Sequence, residues 1–236
     1  MNEPDGRLIC ALDMESEEEA WALVEQLDGL VSFFKVGIIL NAASGRQFML
    51  KLLGRGKQIF LDLKYFDIPQ TVQRAVALAA GQGFSLLTVH GDRRIIEAAV
   101  TGRGASSLKI LAVTVLTSMD TEDLRGMGIG LTVEEMVESR AKAALELGCD
   151  GVVCSAREIG LVRKVAGRRL LIVTPGIRPA QEETQEQKRV LTPAEALRQG
   201  ADYLVVGRPI YRAADPRAAA ARILEEMRGA LPGGTD

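Results

Sequence analysis

The sequence is poor in cysteine and histidine, and these shortages exclude several kinds of protein. Only 3 of the 236 residues are cysteine, all in apolar surroundings, so we expect buried free thiols and no disulfide framework. Cys149 and Cys154 are spaced too widely for a CxxC redox pair. The single histidine, His90, leaves no cluster of histidine and cysteine ligands for a metal. This composition favours a protein of a reducing compartment, the cytoplasm.

The chain also lacks an excess of either charge and any long apolar run. It has 29 lysines and arginines against 31 aspartates and glutamates, and no basic block of five or more residues occurs. We therefore expect no nucleic-acid partner and no membrane-surface partner. No apolar run approaches the roughly 18 residues of a transmembrane helix, and the first residues, MNEPDGR, do not resemble a signal peptide.

What the chain does have is a regular alternation of eight apolar strand patterns with amphipathic or alanine-rich helix patterns. The predicted strands are Leu8–Leu12, Ser32–Val36, Gln58–Leu63, Ser85–Val89, Lys109–Val115, Gly151–Cys154, Leu170–Val173 and Tyr203–Val206. The predicted helices are Ser16–Leu27, Asn41–Leu53, Pro69–Ala80, Arg93–Val100, Val133–Leu147, Ala156–Val165, Pro193–Gln199 and Pro216–Met227.

Strands that read as near-continuous Val, Ile and Leu runs are typical of a parallel sheet buried on both faces. Eight strand–helix units without a long linker predict an α/β protein, a (β/α)8 TIM barrel, as a single domain over residues 1–236. An open doubly wound sheet is the alternative, but no GxGxxG follows the first strand.

One stretch, QIFLDLKYFDIPQTV over residues 58–72, ends a strand with clustered charges. Asp62 and Lys64 are two residues apart, so their side chains are expected on one face of the strand. Asp67 follows where the strand should bend, and charges a few ångströms apart interact by about 4 kcal/mol at an effective dielectric near 20. The structural alternative is an Asp62–Lys64 ion pair with Asp67 as the N-cap of a capping box with Gln70. Because a fold gains little from such a cluster, the functional interpretation is favoured.

Other polar residues follow the predicted strands, and the carboxyl ends of barrel strands build the active site. Asp13 follows the first strand, Lys35 lies in the second, and Thr117 and Ser118 follow the fifth. His90 follows the fourth, but a lone histidine is more often a hydrogen-bonded core residue, and we expect a structural role for it. The convergence of the others on one rim predicts an active site.

The last two units carry a phosphate-binding pattern. In VVGRPI, Gly207 lets backbone N–H groups approach a ligand and Arg208 offers a planar donor fork. Loops after the seventh and eighth barrel strands commonly bind phosphate. The long polar stretch Gly176–Leu191 is interpreted as a lid, with Arg178 and Gln187 reaching the phosphate. A plain glycine turn with a solvated arginine is the structural alternative.

Together these motifs resemble the orotidine 5′-phosphate decarboxylase family, in its bacterial form. DLKYFDIPQT matches the family's D-x-K-x-x-D-I-x-x-T, and LICALD, FFKVG, VTVLTSM, GVVCSA, VTPGIRP and VVGRPI match in order over nearly the whole chain. Phe66 departs from the polar residue, such as histidine, found in many relatives. The resemblance implies conversion of orotidine 5′-monophosphate (OMP) to UMP and CO2 by a homodimer with shared active sites, without cofactor or metal.

The resemblance also implies residue roles. The implied catalytic residues are Lys64 as proton donor, Asp62 and Asp67 beside the substrate carboxylate, and Lys35, which completes an alternating array of aspartate and lysine. The implied substrate-binding residues are Asp13 and Lys35 at the ribose, Thr117 and Ser118 at the pyrimidine, and Arg178, Gln187, Gly207 and Arg208 at the phosphate, with Asp62, Ile68 and Thr71 completing the set. Asp67 and Thr71 would come from the neighbouring subunit.

Two rival functions remain. A magnesium-dependent sugar-phosphate decarboxylase or aldolase of the same barrel superfamily resembles the D-x-K-x-x-D pattern, but such enzymes look to have an acidic residue where this chain has Lys35. An ammonium at that position opposes binding of a divalent cation. The other rival is a non-catalytic nucleotide-binding barrel, against which the intact Asp62, Lys64 and Asp67 argue.

Overall fold

The computed structural model describes residues 5–179 and 191–230, which form a closed barrel of eight parallel strands. The strands are β1 (Leu8–Leu12), β2 (Phe33–Gly37), β3 (Gln58–Tyr65), β4 (Leu86–His90), β5 (Lys109–Val113), β6 (Gly151–Val153), β7 (Leu171–Pro175) and β8 (Tyr203–Val206). Each strand pairs with the next, and β8 pairs with β1. The predicted (β/α)8 barrel is confirmed, and the open-sheet alternative is wrong.

Helices connect the strands around the outside of the barrel. They are α1 (Glu17–Gln26), α2 (Ile38–Gly54), α3 (Pro69–Ala80), α4 (Arg93–Arg103), α5 (Thr121–Gly126), α6 (Val133–Glu146), α7 (Ile159–Ala166), α8 (Pro193–Gln199), α9 (Arg208–Tyr211) and α10 (Pro216–Arg228). The short helices α5 and α9 were not predicted, because one or two turns carry too little periodicity to detect. A 3₁₀ turn at Ala156–Glu158 precedes α7, inside one predicted helix. No helix in the described ranges is long and apolar enough to cross a membrane.

The strands are apolar at successive positions because both of their faces are buried. In β1, Ile9 and Ala11 point into the barrel, where they pack with Phe33 and Phe60 of the neighbouring strands. The alternate residue Cys10 belongs to the larger core between the sheet and the helices. Its burial raises the pKa of the thiol to about 12, so Cys10 is an inert packing residue.

Strand β3 departs from regular geometry at its carboxyl end. It pairs with β4 at Leu61 opposite Leu87, and the register then shifts before Tyr65 pairs with Val89. Within the shift, Lys64 has a φ of 49°, and among the described residues it is the one non-glycine residue with positive φ. Such strained backbone persists only where its surroundings enforce it, and it concentrates at functional sites.

Candidate active site

A cavity of about 310 Å³ lies at the carboxyl end of the barrel. Its walls include these residues from the sequence prediction: Asp13, Lys35, Asp62, Lys64, Thr117, Arg178, Gly207 and Arg208. They come from separate strand ends that the closed sheet brings to one mouth. The fold therefore assembles most of the predicted residues around one space.

Four charged side chains form a continuous alternating array in this cavity. Lys35 Nζ lies 2.7 Å from Asp13 Oδ1 and 3.8 Å from Asp62 Oδ2. Lys64 Nζ lies 2.9 Å from the other oxygen of Asp62, Oδ1. The Lys35 side chain is 10% exposed and that of Asp62 is 14% exposed, so water screens their interaction little. The expectation that Asp62 and Lys64 project the same way is confirmed.

Register explains why the array is continuous. The β1–β2 pairing places Ala11 opposite Lys35, and the β2–β3 pairing places Gly37 opposite Asp62. Asp13 and Asp62 therefore flank the lysine from the two neighbouring strands. An ammonium that is largely removed from water needs such carboxylate partners.

Asp67, Ile68 and Thr71 are exposed and are not among the residues that line the cavity of their own chain. Asp67 Oδ1 accepts a hydrogen bond from the backbone N–H of Ile68 at 2.6 Å. Helix α3 begins at Pro69 with Ile68 as its N-cap and without a side-chain cap. The interpretation of Asp67 as the N-cap of a capping box with Gln70 is therefore wrong.

The strand ends opposite the charged array are mostly apolar. Val113, Val115 and Val153 line the cavity, with Thr117 as the polar residue at the edge of this wall. Ser118, the next residue, is exposed and is not part of the lining. An apolar wall facing fixed charges lowers the local polarity and so strengthens electrostatic interactions inside the cavity.

The β8 end supplies an open, cationic side of the cavity. A Cβ atom on Gly207 would lie 3.3 Å from the Tyr211 ring, which would have to shift by a few tenths of an ångström, and in ordinary contact with Ala11 at 3.4 Å. Arg208 is exposed at the cavity edge, and Arg178 lines the cavity from the β7 side. Gln187, together with most of the predicted lid, lies outside the described residues.

His90 has neighbours of its own outside the cavity lining. Its Nδ1 lies 3.1 Å from Asp92 Oδ2, and its ring centroid lies 4.5 Å from that of Phe66. Burial, and then the charge of Arg140, lower the pKa of His90, while Asp92 acts in the opposite direction. This environment fits the structural role expected for the histidine.

Two residues at the site, Thr88 and Tyr211, are not predicted from the sequence. Thr88 is fully buried on β4, and its hydroxyl contacts both the Lys64 backbone and the Asp62 carboxylate. A threonine in LLTVH is an ordinary strand residue, so the sequence carries no signal of this contact. Tyr211 lines the cavity from α9, a helix too short to be predicted.

The residues that the structure describes contain no group of three or more His, Cys, Asp or Glu placed to hold a metal ion. The carboxylates of the cavity, Asp13 and Asp62, are instead each paired with lysine. An ammonium competes with a cation for carboxylate oxygens, so the donor set does not suit magnesium.

Comparison with known proteins agrees with the motifs. The model of the orotidine 5′-phosphate decarboxylase / HUMPS family matches residues 6–223. The chain is 54% identical over 225 residues to the orotidine 5′-phosphate decarboxylase of Nitrobacter winogradskyi, covering 95% of this chain and 94% of the relative. The corresponding protein of Methylobacterium radiotolerans is 50% identical, with 95% and 97% covered.

A solved structure agrees as well. The crystal structure of orotidine 5′-phosphate decarboxylase from Lactobacillus acidophilus superposes with a TM-score of 0.83 at 38% identity, covering 94% of this chain and 99% of that one. Sequence and fold thus each match over more than nine tenths of the chain. The chain belongs to the orotidine 5′-phosphate decarboxylase / HUMPS family.

Proposed function

We propose that this protein decarboxylates OMP to UMP and CO2 in pyrimidine biosynthesis, without a metal or a cofactor. The observation that carries the proposal is the Lys64 ammonium, held 2.9 Å from Asp62 at the mouth of a partly apolar cavity. Loss of CO2 from C6 of the pyrimidine leaves an electron pair with no conjugated acceptor. A fixed cation beside that carbon is the group that such a reaction needs.

The substrate would be held at both of its ends. Its phosphate would bind at the cationic side formed by Arg178, Gly207 and Arg208, with Gln187 from the lid. Asp13 and Lys35 would contact the ribose, and the pyrimidine would lie against the apolar wall beside Thr117 and Ser118. Binding energy from the distant phosphate would orient the reacting carbon.

The chemical step then breaks one bond and forms another. The C6–carboxylate bond breaks, CO2 departs, and its electron pair remains on C6 beside the Lys64 ammonium. Lys64 donates its proton to C6, forms the new C–H bond and is left as a neutral amine. Asp62, near the departing carboxylate, would disfavour the charged ground state and favour the loss of that charge.

We further propose that the enzyme is a homodimer with shared active sites. Asp67, Ile68 and Thr71 are exposed away from the cavity of their own chain, which suits residues that serve a partner. Large apolar side chains are also exposed at this end of the barrel, namely Ile38, Ile39, Phe66, Ile68 and Leu116. Several large apolar side chains exposed at one end of a molecule are typical of a protein interface.

The cellular compartment is inferred from the cysteines. Cys10, Cys149 and Cys154 are buried free thiols, which suits the reducing cytoplasm, where we propose that the enzyme works as one barrel domain. Of the rival functions, magnesium-dependent sugar-phosphate chemistry is disfavoured by Lys35, which occupies the carboxylates that a metal would need.

One assay tests the function directly. OMP is incubated with the purified protein, the change in ultraviolet absorbance is followed, and UMP is identified by chromatography. Stoichiometric formation of UMP is expected. Binding of OMP without turnover would favour the non-catalytic nucleotide-binding barrel instead.

A further inference from the structure

We propose that Thr88 is a positioning residue for the decarboxylation: its hydroxyl holds the backbone of Lys64 and the carboxylate of Asp62 in fixed relation to each other. Thr88 is fully buried in β4 and is not part of the cavity lining, so it acts through these two residues. The catalytic part of the inference depends on the proposed function, whereas the structural part does not.

The direction of both hydrogen bonds follows from the chemistry of the groups. The backbone N–H of Lys64 lies 2.9 Å from Thr88 Oγ1 and can only donate. The hydroxyl therefore accepts from Lys64, and its single proton is available for Asp62 Oδ1, also at 2.9 Å. An ionised carboxylate can only accept, so each group has the role that its neighbour requires.

The first of these bonds lies at the strained point of the backbone. Lys64 has a φ of 49°, inside the register shift between β3 and β4. The threonine hydroxyl supplies a partner for an N–H that regular strand pairing would satisfy with a carbonyl. Because a strained conformation persists only when several contacts enforce it, loss of this bond would release the Lys64 backbone.

The second bond orients the Asp62 carboxylate. Oδ1 accepts from both Thr88 and the Lys64 ammonium, at 2.9 Å each, while Oδ2 faces Lys35 at 3.8 Å. The hydroxyl thus selects which carboxylate oxygen meets which lysine. Thr88 thus holds the Lys64 backbone through its N–H, and it orients the Lys64 ammonium indirectly, through the Asp62 carboxylate.

The test compares three variants in the intact enzyme. Thr88→Val removes the hydroxyl at nearly constant volume, and Thr88→Ser keeps the hydroxyl and removes the methyl group. The matched control is Thr114→Val. Thr114 is also a fully buried threonine beside the cavity, but its hydroxyl donates to the Val153 carbonyl at 3.0 Å. If Thr88→Val does not fold, Thr88→Cys replaces it, since a thiol is a weak donor of similar size.

The kinetic result should separate positioning from simple packing. Thr88→Val should lower kcat about 100-fold while KM stays within about threefold, because misplacing a reacting group affects the chemical step. Thr88→Ser should stay within about fivefold of the wild-type kcat, and Thr114→Val within about twofold, since neither releases Lys64. A kcat in Thr88→Val near the wild-type value, or an equal fall in Thr88→Ser, would overturn the proposal.

A second readout does not depend on activity. In NMR hydrogen exchange, the Lys64 amide should exchange at least about tenfold faster in Thr88→Val, and not in Thr88→Ser, because it loses its hydrogen bond to the Thr88 hydroxyl there. Unchanged exchange of that amide would also overturn the proposal. If the wild-type protein does not turn over OMP, the proposed function fails, and the amide result alone still decides whether Thr88 holds Lys64.

Discussion

Lys35 and Asp62 lie on neighbouring strands with 3.8 Å between Nζ and Oδ2, and both side chains are largely buried. At about 4 Å, unit charges attract each other by about 4 kcal/mol at an effective dielectric near 20. Each lysine of the array contacts Asp62, so removing one charge leaves others without their full set of partners. The array should therefore be sensitive to substitutions that change its charge.

Lys64→Ala should abolish decarboxylation and leave the fold intact. The substitution removes the proton donor, which contributes about 10²–10⁴-fold, together with the electrostatic stabilisation of the carbanion. Steady-state turnover of OMP measures the loss, and thermal unfolding checks the fold. Lys57→Ala is the matched control, because Lys57 pairs with Asp28 just before β3, at the far end of that strand. Near-native turnover of Lys64→Ala would contradict the mechanism.

Arg208→Ala should act mainly on binding. Hydrogen bonds to charged groups contribute about 1.5–3 kcal/mol, so KM should rise about 10- to 100-fold with a smaller fall in kcat. Arg94→Ala, on the outer helix α4, is the control and should leave both constants unchanged. A large fall in kcat at unchanged KM would place Arg208 in the chemical step and not at the phosphate.

Turnover of OMP should survive removal of metal ions. The carboxylates of Asp13 and Asp62 are paired with lysines, and the proposed step needs no Lewis acid. The enzyme is dialysed against excess chelator and assayed in metal-free buffer, with the untreated enzyme as the control. Loss of activity that magnesium restores would favour the sugar-phosphate alternative.

Mixed dimers should recover activity from two inactive parents. If Asp67 serves the partner's site and Lys64 its own, a dimer of Lys64→Ala with Asp67→Ala has one site with both lesions and one intact site. Random pairing makes half of the dimers mixed, so refolding the two together should restore roughly a quarter of the wild-type activity.

The control for this experiment is Lys64→Ala refolded with the double variant Lys64→Ala/Asp67→Ala. Every site in that mixture lacks its own lysine, so no recovery is expected. Recovery in the test mixture no greater than the average of the separately refolded parents would mean that Asp67 acts within its own chain, or that the protein is not this dimer.

His90 should make the folded state less stable at mildly acidic pH. Its pKa is lowered in the folded protein by burial and by Arg140, so below the ordinary histidine value of about 6.5 the unfolded chain binds the proton first. The free energy of unfolding should therefore fall as the pH decreases from 7 to 5. Urea denaturation at both pH values should show a smaller fall for His90→Gln, and equal falls would contradict this assignment.

The sequence by itself determined the barrel and predicted most of the charged residues that line the candidate site. Buried parallel strands leave continuous apolar runs, and the charges at the end of β3 stand out against them, so Asp62 and Lys64 were identifiable without coordinates. Strand ends of a closed barrel converge, which placed Asp13 and Lys35 near them. The observed limits of the strands and helices differ from the predicted limits by a few residues. An element ends where its backbone hydrogen bonds end, and composition alone does not show that point.

Only the tertiary structure decided the rest. The contact of Thr88 with Lys64 depends on the register shift between β3 and β4, which no periodicity in either strand records. The absence of Asp67 from the lining of its own cavity depends on where α3 begins after the strand bends. Local patterns specify which residues form a strand, whereas contacts between strands depend on the relative alignment of segments far apart in sequence.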